Sequence, residues 1–542
     1  MDFLLLQSLM DCTSTRFPYR QTGAFSKIAL DYIDQLATLK PFFSFPPTLQ
    51  GIQKAIEVRK QFNTNREVLV QELKKQYEGI DTTEKVKDNI ELLLSDDTFT
   101  ITTAHQNNIF TGPLYFIYKI VHAIKLADHL KTASSKQNFV PVFYIGSEDA
   151  DLDELNHIYL GGEKLVWETN QTGAVGRMKV DKPLIKLLDL MEGQLTVLQN
   201  GSEIISQLKK YYQEGTTIQE ATFRLVNSLF AEYGLIVLLP DNAVLKKQMT
   251  KLFEDDLLHQ TASGILEETA GKLEAAGYKV QANSREINLF YLLDGKRERI
   301  VKEGAKYKAQ GTNLDLSEAE IKTELAKNPE RFSPNVILRG LYQETILPNI
   351  AFIGGGGETA YWLQLKDLFK YYEIPFPVLV LRNSFLIVEK KWQAMIAKLG
   401  FTIEDFFLPE QELMNRLVAR ETDKQLKLNG TFSETEQFYN RIKKQATSVD
   451  ITLEKHVEAL KVQTLHRLQE LEKKMLRAEK RKFAGQQRQI HIIKEQLFPV
   501  NGLQERKENL CFYYAKWGRD FIKVLFNESL SLEQEFAVVL EK

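Results

Sequence analysis

The chain has 542 residues, too many for one ordinary hydrophobic core, so two to four domains are expected. Its 43% hydrophobic and 26% charged residues describe a globular protein, and a net charge of −2 gives no electrostatic reason to expect nucleic acid or an anionic membrane as a partner. No run approaches the roughly 18 apolar residues that span a bilayer.

The short apolar run Phe3–Leu6 follows Asp2 with no basic residue before it, which argues against a secretory signal. The two cysteines, Cys12 and Cys511, belong to no CxxC. A reducing cytoplasm is the expected location.

The first 95 residues read mostly as helix. Phe25–Thr38 and Leu49–Tyr77 carry apolar residues at three- and four-residue spacing, with Pro46-Pro47 between them. Two apolar strand-like runs follow, Phe99–Ala104 and Phe139–Ile145, joined by a helical pattern over Leu114–Leu130. Each run ends in reactive polar side chains. The first leads into His105-Gln106-Asn107-Asn108 and then Gly112-Pro113, the second into Ser147-Glu148-Asp149-Ala150-Asp151 and on to Asn156-His157. Chemistry outside the carboxyl ends of strands is where open α/β sheets bind ligands.

Residues 158–225 are mixed and less regular. Further buried strands are expected at Gly234–Pro240, Ile350–Ile353 and Pro377–Leu381. Strands apolar throughout and separated by helices imply a parallel sheet covered on both faces. Between the third and fourth strands, Ser284–Val301 reads as a small β region and residues 316–328 as a helix.

From about residue 400 the composition changes. Val457, Leu460, Leu468, Leu471, Met475 and Ala478 keep roughly helical spacing, and residues 451–495 hold 11 Lys/Arg and 6 Asp/Glu. One helix of that length would run about 65 Å, so part of it should pair with another helix as a coiled coil, within or between chains. Thr464 and Lys482 interrupt the seam.

Several constellations could carry chemistry. Gly112-Pro113 fits a tight turn and a helix start, whose free N–H groups suit phosphate. His105 beside it could stabilise charge developing on a phosphate, or could cap a buried strand end. Glu148, Asp149 and Asp151 could hold Mg²⁺, accept a substrate amine or act as a general base, or could be helix N-terminal acids. Gly354-Gly355-Gly356-Gly357 before Glu358 points to close backbone approach of a ligand, or to a crowded strand–helix crossing. It matches neither GxGxxG nor GxxxxGK[ST]. Arg339 and Arg382 could each bind a carboxylate bidentately, or form structural ion pairs.

Together these segments resemble the bacillithiol biosynthesis cysteine-adding enzyme family, the cysteine ligases. The matching pieces are HQNNIFTGPLYFIYKIVHAIKLA, VPVFYIGSEDADLDELNHI, RFSPNVILRG with LPNIAFIGGGGETAYWLQL, PVLVLRNSFLIVE and LFPVNGLQERKEN, in order over nearly the whole chain. The resemblance implies an α/β fold, a Rossmann-like parallel-sheet core with two inserted connecting regions (166–225 and 251–335) and a C-terminal α-helical coiled coil (396–510) that mediates homodimerisation. Residues 511–542 would form a helical segment on the core.

The implied reaction joins cysteine to the amine of glucosaminyl-malate to form bacillithiol. ATP would activate the cysteine carboxylate through an adenylate, with Mg²⁺ as a further candidate. On this reading His105, Glu148, Asp149 and Asp151 are the catalytic candidates. Gln106, Gly112, Pro113 and Gly354, Gly355, Gly356, Gly357 and Glu358 face the nucleotide. Asn156, Arg339, Arg382 and Asn383 face the substrates. A nucleotidylyltransferase and a nucleotide-binding coiled-coil scaffold are the alternatives.

Overall fold

Five strands form one parallel sheet: β1 (Thr98–Gln106), β2 (Asn138–Gly146), β3 (Ile236–Leu238), β4 (Asn349–Gly354) and β5 (Val378–Leu381). They are seen in a computed structural model that describes residues 11–423 and 426–542; the apolar run Phe3–Leu6 lies outside the described residues. The order across the sheet is β5-β4-β1-β2-β3, all parallel. The chain steps outward from β1 to β3, then returns to the other side of β1 for β4 and β5. The strand order therefore reverses between β1 and β4, which is where such sheets open a ligand crevice. Every residue from Thr98 to Ala104 is buried, so the strand reads as an unbroken run rather than an alternation.

Helix α1 (Tyr115–Ala133) crosses from β1 to β2 and buries twelve side chains, among them the polar Lys119 and His122. Helix α2 (Gly356–Trp362) follows β4 directly. A separate sheet joins Cys12–Pro18, Glu535–Glu541 and Phe385–Val388 in that order, so the end of the chain is a strand and not only the expected helical segment.

The expected helix at Leu49–Tyr77 is two helices, Leu49–Arg59 and Arg66–Gln76. Asn63-Thr64-Asn65 intervenes, and the Asn65 side chain accepts from the Val68 N–H at 3.2 Å, starting a new helix. Phe25–Thr38 is likewise shortened to Lys27–Ile33 plus a 3-10 segment, Ala37–Phe42. Residues 158–230 form a hairpin and three helices, Lys182–Leu195, Gly201–Tyr211 and Ile218–Phe230.

The small β region is a five-stranded antiparallel sheet in the order Asp315–Ser317, Lys306–Ala309, Lys296–Glu303, Leu289–Leu293 and Phe332–Pro334. Its central hairpin turns on Asp294-Gly295, with Gly295 at φ +68°, a left-handed conformation that glycine adopts at no steric cost.

The chain divides into two compact units, one built from the residues up to Val388 with Gly502–Lys542, the other Glu389–Asn501. In the second unit, α3 (Asn429–Val449) and α4 (Leu453–Lys480) form an antiparallel helical hairpin. The run expected as one helix over 451–495 is interrupted by a 3-10 turn at Arg481–Phe483 before α5 (Ala484–Leu497). Thr464, the polar break in the seam, faces Tyr439 across the hairpin at 2.7 Å, and Lys482 pairs with Glu479 at 2.8 Å.

Candidate active site

A cavity of about 1130 Å³ lies at the carboxyl ends of β1, β2 and β4, at the switch point. The core contributes His105 and Gln106 from β1, Gly146–Asp149 after β2, and Gly355–Glu358 after β4, with Tyr115 and Lys119 from α1. The small antiparallel sheet contributes Phe290 and Arg297, the segment before it Arg285, and the helix Val336–Ile346 contributes Arg339. Of the expected site residues, the fold thus brings His105, Gln106, Glu148, Asp149, Asp151, Gly355, Gly356, Gly357, Glu358, Arg339 and Arg382 to one cavity.

His105 differs from its expected role. Its Nδ1 lies 3.3 Å from the Lys119 ammonium, and Nε2 makes no hydrogen bond of normal geometry. Burial, then the positive charges of Lys119, Arg382 and Arg339, push its pKa well below 6.5, with the Asn108 side chain working weakly the other way. The imidazole is neutral at physiological pH, so it is not itself the cation for a developing negative charge. The Lys119 ammonium donates to the Ala104 carbonyl at 3.1 Å and pairs with Glu358. Burial lowers its pKa and Glu358 opposes that. Sequence reading missed Lys119, although a lone charge on the buried face of an apolar helix was a visible signal.

The four glycines divide by role. A Cβ at Gly354 would meet Phe352 Cε1 at 3.0 Å and Glu358 Cβ at 3.1 Å, and at Gly356 would meet Ala29 Cβ at 3.3 Å. Those two answer to crowding. A Cβ at Gly357 would meet nothing within 4 Å, and at Gly355 only side-chain ends at 3.6 Å, yet both line the cavity. Gly354 does not line it; its carbonyl accepts from the Arg382 N–H at 2.8 Å. The Gly355 N–H donates to the Glu358 carboxylate at 2.9 Å, which starts α2.

The acidic cluster splits too. Glu148 is paired with Lys246 and accepts from Ser333 Oγ at 3.1 Å. Lys246 also lies 3.5 Å from Asp241, which Arg177 grips at 2.6 and 2.7 Å. Burial raises the Glu148 pKa. Burial pushes Asp241 up as well, but the Arg177 hydrogen bonds and Lys246 outweigh it and hold Asp241 low. Asp149 has a neutral partner instead, with Gln106 Nε2 donating to it at 2.7 Å. Asp151 sits exposed at the rim.

Besides Gly354, five of the expected residues are held by other contacts or lie outside the cavity. Gly112 and Pro113 do not line the cavity. The Leu114 N–H is spent on the Glu508 carbonyl at 2.7 Å, and the Asn509 side chain donates to the Phe110 and Gly112 carbonyls at 2.9 and 2.6 Å, so the chain closes its own helix start. Arg382 reaches the cavity wall, but its guanidinium is committed to the buried Glu505 at 2.6 Å and to Ser384 at 3.0 Å. Asn383 is buried elsewhere, donating to His122 Nδ1 at 3.0 Å and to the Leu530 carbonyl at 2.8 Å. Asn156 turns to its neighbour His157 at 3.3 Å.

Four arginines in the cavity, Arg285, Arg297, Arg339 and Arg506, form no ion pair with a carboxylate among the described residues; Arg285 and Arg506 are exposed, whereas Arg297 and Arg339 are partly buried. Arg339 donates to the Tyr361 hydroxyl at 2.5 Å. Arg297 donates to Ser333 Oγ at 3.0 Å and to the Pro334 carbonyl at 3.1 Å. Among the described residues no three His, Cys, Asp or Glu side chains gather as a metal site. No helix among them is long and apolar enough to cross a membrane.

A parallel sheet ordered in this way, with a polar cavity at its switch point, defines a Rossmann-like α/β enzyme. Residues 10–383 match the family model for the bacillithiol biosynthesis BshC N-terminal Rossmann-like domain, and residues 385–541 match the BshC C-terminal coiled-coil domain. The chain belongs to the BshC family. It is 40% identical to a protein of Cytophaga hutchinsonii over 90% of this chain and 91% of that one. It is 37% identical to one of Flavobacterium psychrophilum and 38% identical to one of Flavobacterium johnsoniae, each over 98% of this chain and 99% of the relative. All three bear the name "Putative cysteine ligase BshC".

Proposed function

We propose that this chain is a cysteine ligase that joins cysteine to the amine of glucosaminyl-malate, forming the amide of bacillithiol, with ATP as the activating co-substrate. The observation that carries the reading is Arg339. It is a guanidinium in the switch-point cavity with no carboxylate of its own, facing a wall where Gly355 and Gly357 leave backbone open to a ligand. The names of the relatives supply the reaction class.

The residues present fit ATP. Uncompensated positive charge, a glycine wall and a cavity of about 1130 Å³ suit a polyphosphate. Bound there, ATP supplies a good leaving group for the cysteine carboxylate. Arg339 would hold the negative charge of the reacting carboxyl, with Lys119 close behind the neutral His105. The attacking amine must lose a proton. Asp149 is the better acceptor for it, because Glu148 is already committed to Lys246. Asp151 at the rim would draw in the ammonium. We extend the proposal to a cytoplasmic homodimer through the helical arm. Phe438, Leu460 and Val462 stay exposed on its two long helices, which supports this.

The test is a mass-spectrometric assay of the purified protein with glucosaminyl-malate, cysteine, ATP and Mg²⁺, each omitted in turn. Bacillithiol that requires cysteine, ATP and glucosaminyl-malate together bears the reading out. Unchanged product without ATP removes the activation step, and no product from a folded protein that binds none of the three removes the reading.

A further inference from the structure

Arg297 belongs to neither the parallel core nor any segment with a recognisable motif. It stands on Lys296–Glu303 of the antiparallel insert sheet, yet it lines the cavity. Three contacts fix its guanidinium. The plane lies over the Phe290 ring at 3.9 Å, Nε donates to Ser333 Oγ, and one terminal nitrogen, Nη2, donates to the Pro334 carbonyl. Ser333 in turn donates to Glu148, so its hydroxyl is used in both directions and is locked. All the hydrogen-bond acceptors of Arg297 are neutral, and it makes no ion pair among the described residues. Burial lowers its pKa, and Glu148 and Asp149 nearby oppose that. A charge desolvated and oriented in this way, with no carboxylate on it, is built for a ligand.

The topology says which ligand. The glycine wall follows β4, on one side of β1. Arg297 faces the acidic end of β2, on the other side of β1. The nucleotide and the acceptor therefore have separate sides, and Arg297 lies on the acceptor's. We propose that Arg297 is the specificity-determining residue for the acceptor, pairing with a carboxylate of its aglycone, so that the enzyme selects an amino sugar carrying a dicarboxylic acid over one carrying a neutral group. The exposed Arg285 at the same rim adds charge of the same sign. This rests on the ligase reading above.

The experiment is calorimetric titration with glucosaminyl-malate and with methyl glucosaminide, alongside turnover with each. It uses the full-length wild type, Arg297→Met and Arg297→Lys. Arg297→Met keeps a long unbranched apolar side chain while removing the charge. The wild type is expected to prefer the malate-bearing acceptor at least 30-fold, Arg297→Met to lose that preference with the KM values for ATP and cysteine unchanged, and Arg297→Lys to recover part of it. If the wild type makes bacillithiol but Arg297→Met keeps the preference, or loses ATP affinity instead, the inference is wrong and the ligase reading stands. If the wild type binds neither sugar and makes no product, the ligase reading has failed and takes the inference with it.

Discussion

Lys119 of α1 and Glu358 of α2 form an ion pair across the point where the strand order reverses, tying the segment after β1 to the glycine turn after β4. Lys119 is almost fully buried and Glu358 is partly open to the cavity. The same ammonium lies beside His105 Nδ1, so the pair shapes the turn while the Lys119 charge adds to the burial that lowers the histidine pKa. Lys119→Met removes a cation that holds the His105 pKa down, so that pKa should rise from its wild-type position. NMR titration of the His105 ring measures it. An unchanged or lower midpoint would mean that burial alone sets it.

Arg382 and Glu505 are a structural pair, 5% and 0% exposed. Breaking such a pair strands a buried charge and costs about 3–5 kcal/mol, whereas replacing both partners by apolar groups is often nearly neutral. Arg382→Met should therefore lower stability by that amount in urea unfolding, and Arg382→Met with Glu505→Leu should recover most of it. Equal loss in the single and double variants would show that packing, and not the stranded carboxylate, is at stake.

Gly357 and Gly354 should respond in opposite ways. At Gly357 a methyl group meets nothing, so Gly357→Ala should keep or slightly raise Tm while raising the KM for ATP, by about 10-fold if the group costs ~1.4 kcal/mol of binding. At Gly354 a methyl group presses on Phe352 and Glu358, so Gly354→Ala should destabilise by about 1–3 kcal/mol. Paired Tm and KM measurements on both variants check this, and an unchanged KM for Gly357→Ala would put the nucleotide elsewhere.

Glu508 gives a pH signature. Burial raises its carboxyl from 4.5 to about 7, against the N–H groups of Gly161 and Gly162. Between those values the folded chain holds a proton that the unfolded chain has released, so stability falls as pH rises through that window and is level above it. The loss is about 3 kcal/mol, at 1.36 kcal/mol per pH unit. Glu508→Gln keeps an acceptor for Gly161 without titrating. Its stability relative to wild type should climb from pH 4.5 to 7.5, as read by urea unfolding at each pH. A constant difference would contradict the buried carboxyl.

The parallel core was legible because strands buried on both faces leave unbroken apolar runs, and all five expected strands are present. The strand-end polar clusters were legible for the same reason, since they begin where the apolar runs stop. The closure of Gly112-Pro113 was not legible, because the group that closes it, Asn509, is 397 positions away. Arg382 looked free for the same reason. Its partner Glu505 lies in LFPVNGLQERKEN, and nothing local joins the two segments. Arg297 was invisible because a residue on an exposed-looking antiparallel hairpin has no periodicity that aims it into a distant cleft.

The most direct test of the account is turnover by Arg339→Met, with Tm measured on the same sample. Arg339 has a hydroxyl partner but no carboxylate, so its loss should spare the fold and strike the chemistry. Removing a preorganised charge of this kind costs about 10²–10³-fold in rate. A fall of that size in kcat/KM for cysteine is expected, with Tm within a few degrees of wild type. Undiminished turnover from Arg339→Met would contradict it and remove the active site from this cavity.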